Sequence, residues 1–358
     1  MIAAPGAAGE LIHIHCALDT GPERSLADDV LDGLTRPFKE LPPKHLYDAR
    51  GADLFDRICE QPEYYPTRTE RTILADRAAE LVARTGAVEL VELGSGTAAK
   101  TRVLLDAMRD AGHLKRYVPL DVTEGMVRDC ATDLVAEYPG LHVHGVVGDF
   151  EHHLAHIPAP VGPRLVAFLG GTIGNFTPGS RRRLLRQVAE LLGPSDHLLV
   201  GTDLVKDASV IEAAYDDRAG VTAEFNLNVL HVLNRELQAD FDVGAFEHVA
   251  FFDRQHEWLE MRLRALRPQT VLIGALDLQV SFAAGEQLRT EISAKFTRRR
   301  VEADLRSAGL ALDEWLTDPR QMFALSLART APLTLGARTA PLTPGAPDAA
   351  QSSDLPRA

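Results

Sequence analysis

Cysteine is scarce in this 358-residue chain. Its three cysteines, Cys16, Cys59 and Cys130, lie far apart with no CxxC spacing, which excludes a disulfide framework and a thiolate zinc site and suits a reducing cytoplasm. Basic charge is also short: 38 Lys and Arg against 51 Asp and Glu leave a formal net charge of −13. So acidic a chain argues against nucleic acid or anionic membrane as partners and favours small molecules. Long apolar runs are missing, since no stretch reaches the roughly 18 uncharged residues of a membrane span. The opening MIAAPGAAGE has neither the basic nor the apolar region of a signal peptide, so a cytoplasmic location is expected. What remains is ordinary for a folded globular protein, with 45% hydrophobic and 25% charged residues. The length predicts roughly two domains, or one large domain carrying an insertion.

Helix-like and strand-like segments alternate from Glu70 to Arg329. Short apolar strands are predicted at Val88–Leu93, Tyr117–Val122, Leu141–Val147, Leu165–Leu169 and Leu198–Thr202. Helices are predicted over 69–84, with Thr67 and Glu70 at capping-box spacing, and over Ala98–Ala111, Gly125–Tyr138 and Pro178–Leu192. A helix near 298–308 and two strands, Leu310–Leu316 and Met322–Ala328, close the pattern around an Asp318-Pro319 turn. Such alternation implies an α/β protein with a parallel, doubly wound sheet. Residues 18–68 and 206–290 break the rhythm and are expected to fold together as a second, smaller domain. The divisions are then 1–17 as a flexible N-terminus, 18–68 plus 206–290, and 69–205 plus 291–329 as the sheet domain. Residues 330–358 hold most of a nine-residue duplication, RTAPLTLGA then RTAPLTPGA, and are expected to be a disordered tail.

Ligands of doubly wound sheets bind at the carboxyl ends of the strands. There the sequence places VELGSGT, with Gly94 and Gly96 opening a helix. The position three after Gly96 is Ala99, so the GxGxxG dinucleotide signature is incomplete and hydride transfer is disfavoured. Glu92, just before the glycines, suits a ligand with a cationic amino-acid end, such as S-adenosylmethionine. Asp121 ends the second predicted strand, where a carboxylate can accept both ribose hydroxyls. Asp149 and Phe150 end the third, placed to take the amine and the face of an adenine.

The segments LYDARGADLFDRICEQPEYYPTRTE, VELGSGTAAKT, YVPLDV, GDF, FLGGTIGNF and RTEISAKF occur in this order. Together they resemble the L-histidine Nα-methyltransferases, which make hercynine for ergothioneine biosynthesis. The similarity covers roughly residues 38–329. It implies an α/β Rossmann-like S-adenosylmethionine-dependent methyltransferase domain with a smaller α+β substrate domain. It also implies that Gly94, Lys100, Asp121, Asp149 and Phe150 hold the methyl donor. By the same resemblance Asn175 and Tyr215 hold the substrate carboxylate, Glu291 and Ser293 grip the imidazole, and Met261 lines the ring pocket. Tyr47, Tyr64 and Gly170 would surround the amine, with Tyr64 favoured over its neighbour Tyr65. Tyr64, Asn175 and Gly170 are the candidates nearest the chemistry, and a Tyr64 hydroxyl or a water would pass on the amine proton. The third glycine found in methyltransferases generally is Ala98 here.

The implied reaction is threefold methylation of free L-histidine by a monomer. A related fold acting on another amino acid or small amine, and a non-catalytic S-adenosylmethionine-binding protein, are the alternatives. Without the resemblance, Tyr47, Tyr64, Tyr65 and Met261 read as core packing and Glu291 as an exposed strand charge. His13, His15, His142, His144, His152, His153 and His156 cluster without a third or fourth ligand at metal spacing, so no metal is expected. The basic runs Arg181–Arg183 and Arg298–Arg300 read as solvated helix faces.

Overall fold

The computed structural model describes residues 11–18, 25–96 and 98–331. The chain opens with β1 (Ile12–Cys16), α1 (Leu26–Leu34), β2 (Lys39–Glu40), α2 (Ala49–Glu60) and α3 (Pro66–Thr85). It continues with β3 (Glu89–Leu93), α4 (Arg102–Asp110), β4 (Arg116–Asp121), α5 (Glu124–Glu137), β5 (His142–Val147) and β6 (Arg164–Phe168). Next come α6 (Pro178–Leu191), β7 (His197–Asp203), α7 (Ala208–Tyr215) and α8 (Val221–Glu236). The hairpins and closing elements are β8 (Phe246–Asp253), β9 (Trp258–Ala265), β10 (Gln269–Ile273), β11 (Leu278–Phe282), β12 (Gln287–Ala294), α9 (Arg298–Ser307), β13 (Leu310–Thr317) and β14 (Phe323–Thr330).

Eight strands form the main sheet in the order β1-β5-β4-β3-β6-β7-β14-β13. All pairs are parallel except those made by β14. The inner parallel strands β3, β4 and β6 are short and buried at their centres because helices cover both faces. One face packs α3, α4 and α5 through Leu74, Leu104 and Leu134, and the other packs α6 and α9 through Leu185 and Leu305. The winding reverses between β3 and β6, so the sheet splits there into a crevice at its carboxyl edge.

A second sheet, β2-β12-β9-β8, stands at that edge. Its core joins the N-terminal segment to the inserted one, with Leu54, Ile58, Phe225, Leu230, Leu263 and Leu288 in one cluster. Several boundaries differ from the sequence expectation. Residues 12–16, expected within a flexible N-terminus, pair in parallel with β5. β12 runs through the expected division at 290/291, so Glu291 and Ser293 sit on a strand of the smaller sheet. α3 begins at Pro66 with Tyr65 as its cap, so Thr67 and Glu70 form no capping box. Arg181, read as solvated, is buried and donates to Asp304 at 2.7 Å, tying α6 to α9. The duplicated tail lies outside the described residues from 332 onward, while Thr330 ends β14.

At the amino end of the sheet, fully buried Glu89 is flanked in register by Arg116 and Arg164 and pairs with both. Glu89→Ala would leave the buried Arg164 guanidinium without its counter-charge. We expect a stability loss of about 3 kcal/mol, read as a lower denaturation midpoint in urea; a midpoint equal to the parent's would show that solvent reaches these arginines.

Candidate functional site

The first half of the site is built on the ends of β3, β4 and β5. After Leu93 the chain turns through Gly94, with φ +74°, a conformation that glycine adopts without strain. A side-chain carbon at Gly94 would lie 3.6 Å from the Phe150 ring, so the glycine and the ring face one another directly. The Gly96 amide donates to Asp121 Oδ2 at 2.9 Å, and the Thr123 amide donates to Oδ1 at 3.0 Å. Each oxygen keeps a further lone pair for a ligand. Asp149 accepts the Glu151 amide on Oδ1, and its own amide donates to His153 Nδ1 at 2.9 Å. Phe150 stands edge-on to Phe168 and Phe176. In the glycine turn Ser95 Oγ is buried with no partner among the described residues. Ala98 replaces the third glycine at φ +53°, a left-handed strain of about 1 kcal/mol held in the loop.

Glu92 has a different task from the one read in the sequence. It is buried, and Thr101 Oγ1 and Tyr117 OH donate to its two oxygens. Burial pushes its carboxyl up to about 7. It therefore braces the loop from beneath. Lys100 reaches instead to Glu70, its ammonium donating to Oε2 at 2.6 Å. The same fully buried carboxylate accepts the Gly170 amide at 2.9 Å. Gly201 makes room for it, since a side-chain carbon there would meet Glu70 Oε1 at 2.1 Å.

The second half faces the first across the crevice. Gly174 seats the turn Thr172–Asn175 against β12, where a side-chain carbon would meet the Ala294 carbonyl at 2.9 Å. Asn175 thus stands beside the strand that carries Glu291 and Ser293 at alternate positions, with Lys295 just past its end. A bulge between Arg289 and Glu291 resets the register so that Glu291 lies opposite Met261. Thr290, the extra residue, donates to the buried Asn226. The Tyr215 hydroxyl and Ser293 Oγ are 2.8 Å apart, and Lys295 Nζ donates to them at 3.1 and 2.9 Å. Behind Tyr215, His248 Nε2 donates to its carbonyl at 2.8 Å, while Nδ1 accepts from the Asn226 amide. Burial lowers the pKa of that imidazole, which fits a neutral ring.

The two adjacent tyrosines part company. Tyr64 is buried against Tyr215 and Phe55, and its phenol is pushed well above 10 by burial and the nearby Tyr215. Tyr65 donates to both oxygens of Asp203 at 2.9 Å and accepts from Lys206 at 2.7 Å. Tyr47 packs edge-on to Phe55 and Phe225, and its phenol is raised by burial and then by the charge of Glu291. Among the described residues nothing donates a hydrogen bond to Glu291, whose carboxyl burial pushes up to about 7. Tyr215, Ser293 and Asn175 therefore supply hydroxyls and an amide beside Glu291, an acid able to pair with a basic ring.

A family model described as histidine-specific, S-adenosylmethionine-dependent methyltransferase matches residues 26–330. The chain belongs to this family. It is 56% identical to the histidine N-alpha-methyltransferase of Mycolicibacterium smegmatis over 314 residues, 88% of this chain and 97% of that one. It is 52% identical to the protein of the same name from Mycobacterium tuberculosis, with the same coverage. Ergothioneine biosynthesis protein 1 of Neurospora crassa is 30% identical over 286 residues, covering 77% of this chain and 32% of its own length. The donor set found here fits the family's cofactor: two strand-end carboxylates, a left-handed glycine against an aromatic ring, and an orphaned serine hydroxyl.

Reading the sequence did not single out Lys295, Asp203, Glu70 or Asn226 as site residues. For Lys295 a signal was present, since Glu291, Ser293 and Lys295 recur at the period of two that puts side chains on one face of a strand. Among the described residues no group of three or more His, Cys, Asp or Glu is arranged to hold a metal ion, and no helix is long and apolar enough to cross a membrane.

Glu291 also generates a pH test. With a native pKa of about 7 against an ordinary value of 4.5, it binds an extra proton in the folded state between these limits. Stability then falls as pH rises through that window, by about 3 kcal/mol in all. We expect Glu291→Gln to lose less stability than the parent between pH 5 and pH 8 in urea denaturation, because the two proteins share every other titrating group. Parallel pH profiles would show that solvent reaches this carboxylate.

Proposed function

We propose that this chain transfers three methyl groups from S-adenosyl-L-methionine to the α-amino group of L-histidine, giving hercynine for ergothioneine biosynthesis. The observation that carries the proposal is a buried Glu291 that accepts no hydrogen bond among the described residues and lies two positions along β12 from the Tyr215–Ser293 hydroxyl pair. A free amino acid with a basic ring matches that pattern at both ends.

Gly94, Lys100, Asp121, Asp149 and Phe150 hold the cofactor in this reading. Asp121 takes the ribose, and Asp149 with Phe150 takes the adenine edge and face. Bound there, S-adenosylmethionine supplies an electrophilic methyl group on a sulfonium. Asn175 and Tyr215 donate to the histidine carboxylate, and Glu291 and Ser293 pair with the imidazole nitrogens, with Met261 against the ring. With both ends fixed, the protein's main contribution is to hold the amine at the angle and distance of attack.

Each transfer forms a nitrogen–carbon bond as the sulfur–methyl bond breaks and S-adenosylhomocysteine leaves, and the attacking amine must first be unprotonated. The raised pKa keeps Tyr64 a phenol, so it serves as a relay that passes a proton to water and not as a resident base. Tyr47, Tyr64 and the Gly170 turn surround the amine, and the aromatic faces favour the growing charge of the methylated ammonium by cation–π attraction. The protein acts as a cytoplasmic monomer on free histidine, without nucleic acid or membrane partners.

Purified protein incubated with S-adenosylmethionine and a mixture of free amino acids should add three methyl groups to histidine alone, read by mass spectrometry. Methylation of another amine would move the substrate while keeping the fold, and no transfer by folded, cofactor-binding protein would favour a binding protein. Glu291→Ala should raise the histidine KM about 10- to 100-fold, the worth of a hydrogen bond to a charged group, with cofactor affinity unchanged. Parent-like turnover at low histidine would refute the role given to Glu291.

A further inference from the structure

We propose that Lys295 is a positioning residue for substrate capture, fixing Tyr215 and Ser293 so that together they present one outward hydroxyl proton to the bound amino acid. The inference rests on the reading above that these hydroxyls face the acceptor. Lys295 is fully buried, one residue past the end of β12. Its Nζ lies 2.9 Å from Ser293 Oγ, 3.1 Å from Tyr215 Oη and 2.9 Å from Asp203 Oδ2.

An ammonium has three protons to donate and nothing with which to accept. All three are accounted for, so both hydroxyl oxygens must accept from Lys295. The 2.8 Å contact between Tyr215 and Ser293 consumes one of their two protons. The pair is left with one proton to direct elsewhere. If Ser293 donates to Tyr215, the phenol proton points outward, and Ser293 keeps one lone pair for a ring N–H. That arrangement gives a donor for the carboxylate and an acceptor for the imidazole, as the proposed binding mode requires.

Lys295 is itself held in place. Asp203 accepts from Tyr65 and Lys206 as well as from Lys295, so the ammonium is anchored on the side away from the hydroxyl pair. Replacing Lys295 with an apolar residue frees both hydroxyls to rotate, and the donor pattern is no longer set in advance of binding.

The test is steady-state kinetics on Lys295→Met. We expect the histidine KM to rise about tenfold or more, with kcat falling by no more than about threefold and the affinity for S-adenosylhomocysteine, measured by calorimetry, unchanged. In a Tyr215→Phe, Ser293→Ala background the same substitution should change KM by less than about twofold, since no hydroxyl pair remains to orient. A parent-like KM in Lys295→Met, or an equal KM loss in that background, overturns the inference while leaving the histidine reading intact. Absence of histidine methylation by the parent overturns both. Should Lys295→Met not fold, Lys295→Met combined with Asp203→Asn, which removes both charges, is measured against Asp203→Asn alone with the same expectations.

Discussion

Burying an ammonium costs several kcal/mol unless anions and hydrogen-bond acceptors replace its water, and Lys295 is fully buried where two sheets meet. Its partners are drawn from everything that must converge there. Asp203 comes from the end of β7, Tyr215 from the end of α7 and Ser293 from β12. Asp203 also gathers Tyr65 from the N-terminal segment and Lys206 from the start of the insertion. Burial lowers Lys206 to about 8, while the two lysines hold Asp203 below its ordinary value. A network of this kind is costly when incomplete, so it tolerates few relative positions of the segments that supply it.

The strand β12, which leads into Lys295, has to satisfy two cores. Leu288, near the start of β12, packs in the cluster of the smaller sheet, whereas Ala294 and the following Phe296 pack in the cluster of the large one. Between them a regular alternation would set the pocket face by the register of Leu288 alone. The extra residue at Thr290 releases that constraint, and Asn226 secures the bulge by accepting its hydroxyl proton. The carboxyl group of Glu291 is then buried opposite Met261 instead of facing solvent. Its raised pKa follows from that burial, which outweighs the lowering pull of the nearby Lys295 charge, whose protons go to other acceptors.

The strand ends proposed to hold the nucleoside were legible because their placement is local. Each carboxylate or ring sits at the end of a short apolar strand, and Asp121, Asp149 and Phe150 could be placed by counting along the chain. The sheet elements were legible for the same reason, within a residue or two at most ends. The acceptor half depends on pairings far apart in sequence, such as Tyr215 with Ser293 and Met261 with Glu291. Only the resemblance to a family brought those residues forward. β1 was missed because a short segment of alternating histidines carries too little apolar surface to announce a strand, and it gains its place by pairing with β5. Glu92 was assigned to a ligand because strand-end acids often face one, yet Thr101 and Tyr117 reach its oxygens first.

The two halves are joined by Glu70. A carboxylate with no solvent contact takes the ammonium of Lys100 from the glycine loop and the amide of Gly170 from the turn after β6. Gly170 and Gly171 both adopt positive φ, so the turn bends sharply back toward the loop and its amide reaches the acid. A shift of either the loop or the turn would strand a buried charge, and the cost of an unpaired buried carboxylate is large compared with typical loop strain. Methyl transfer between two bound molecules depends on sub-ångström control of their separation. One buried carboxylate bonded to both walls of the crevice provides such control without contributing to the bond-making step.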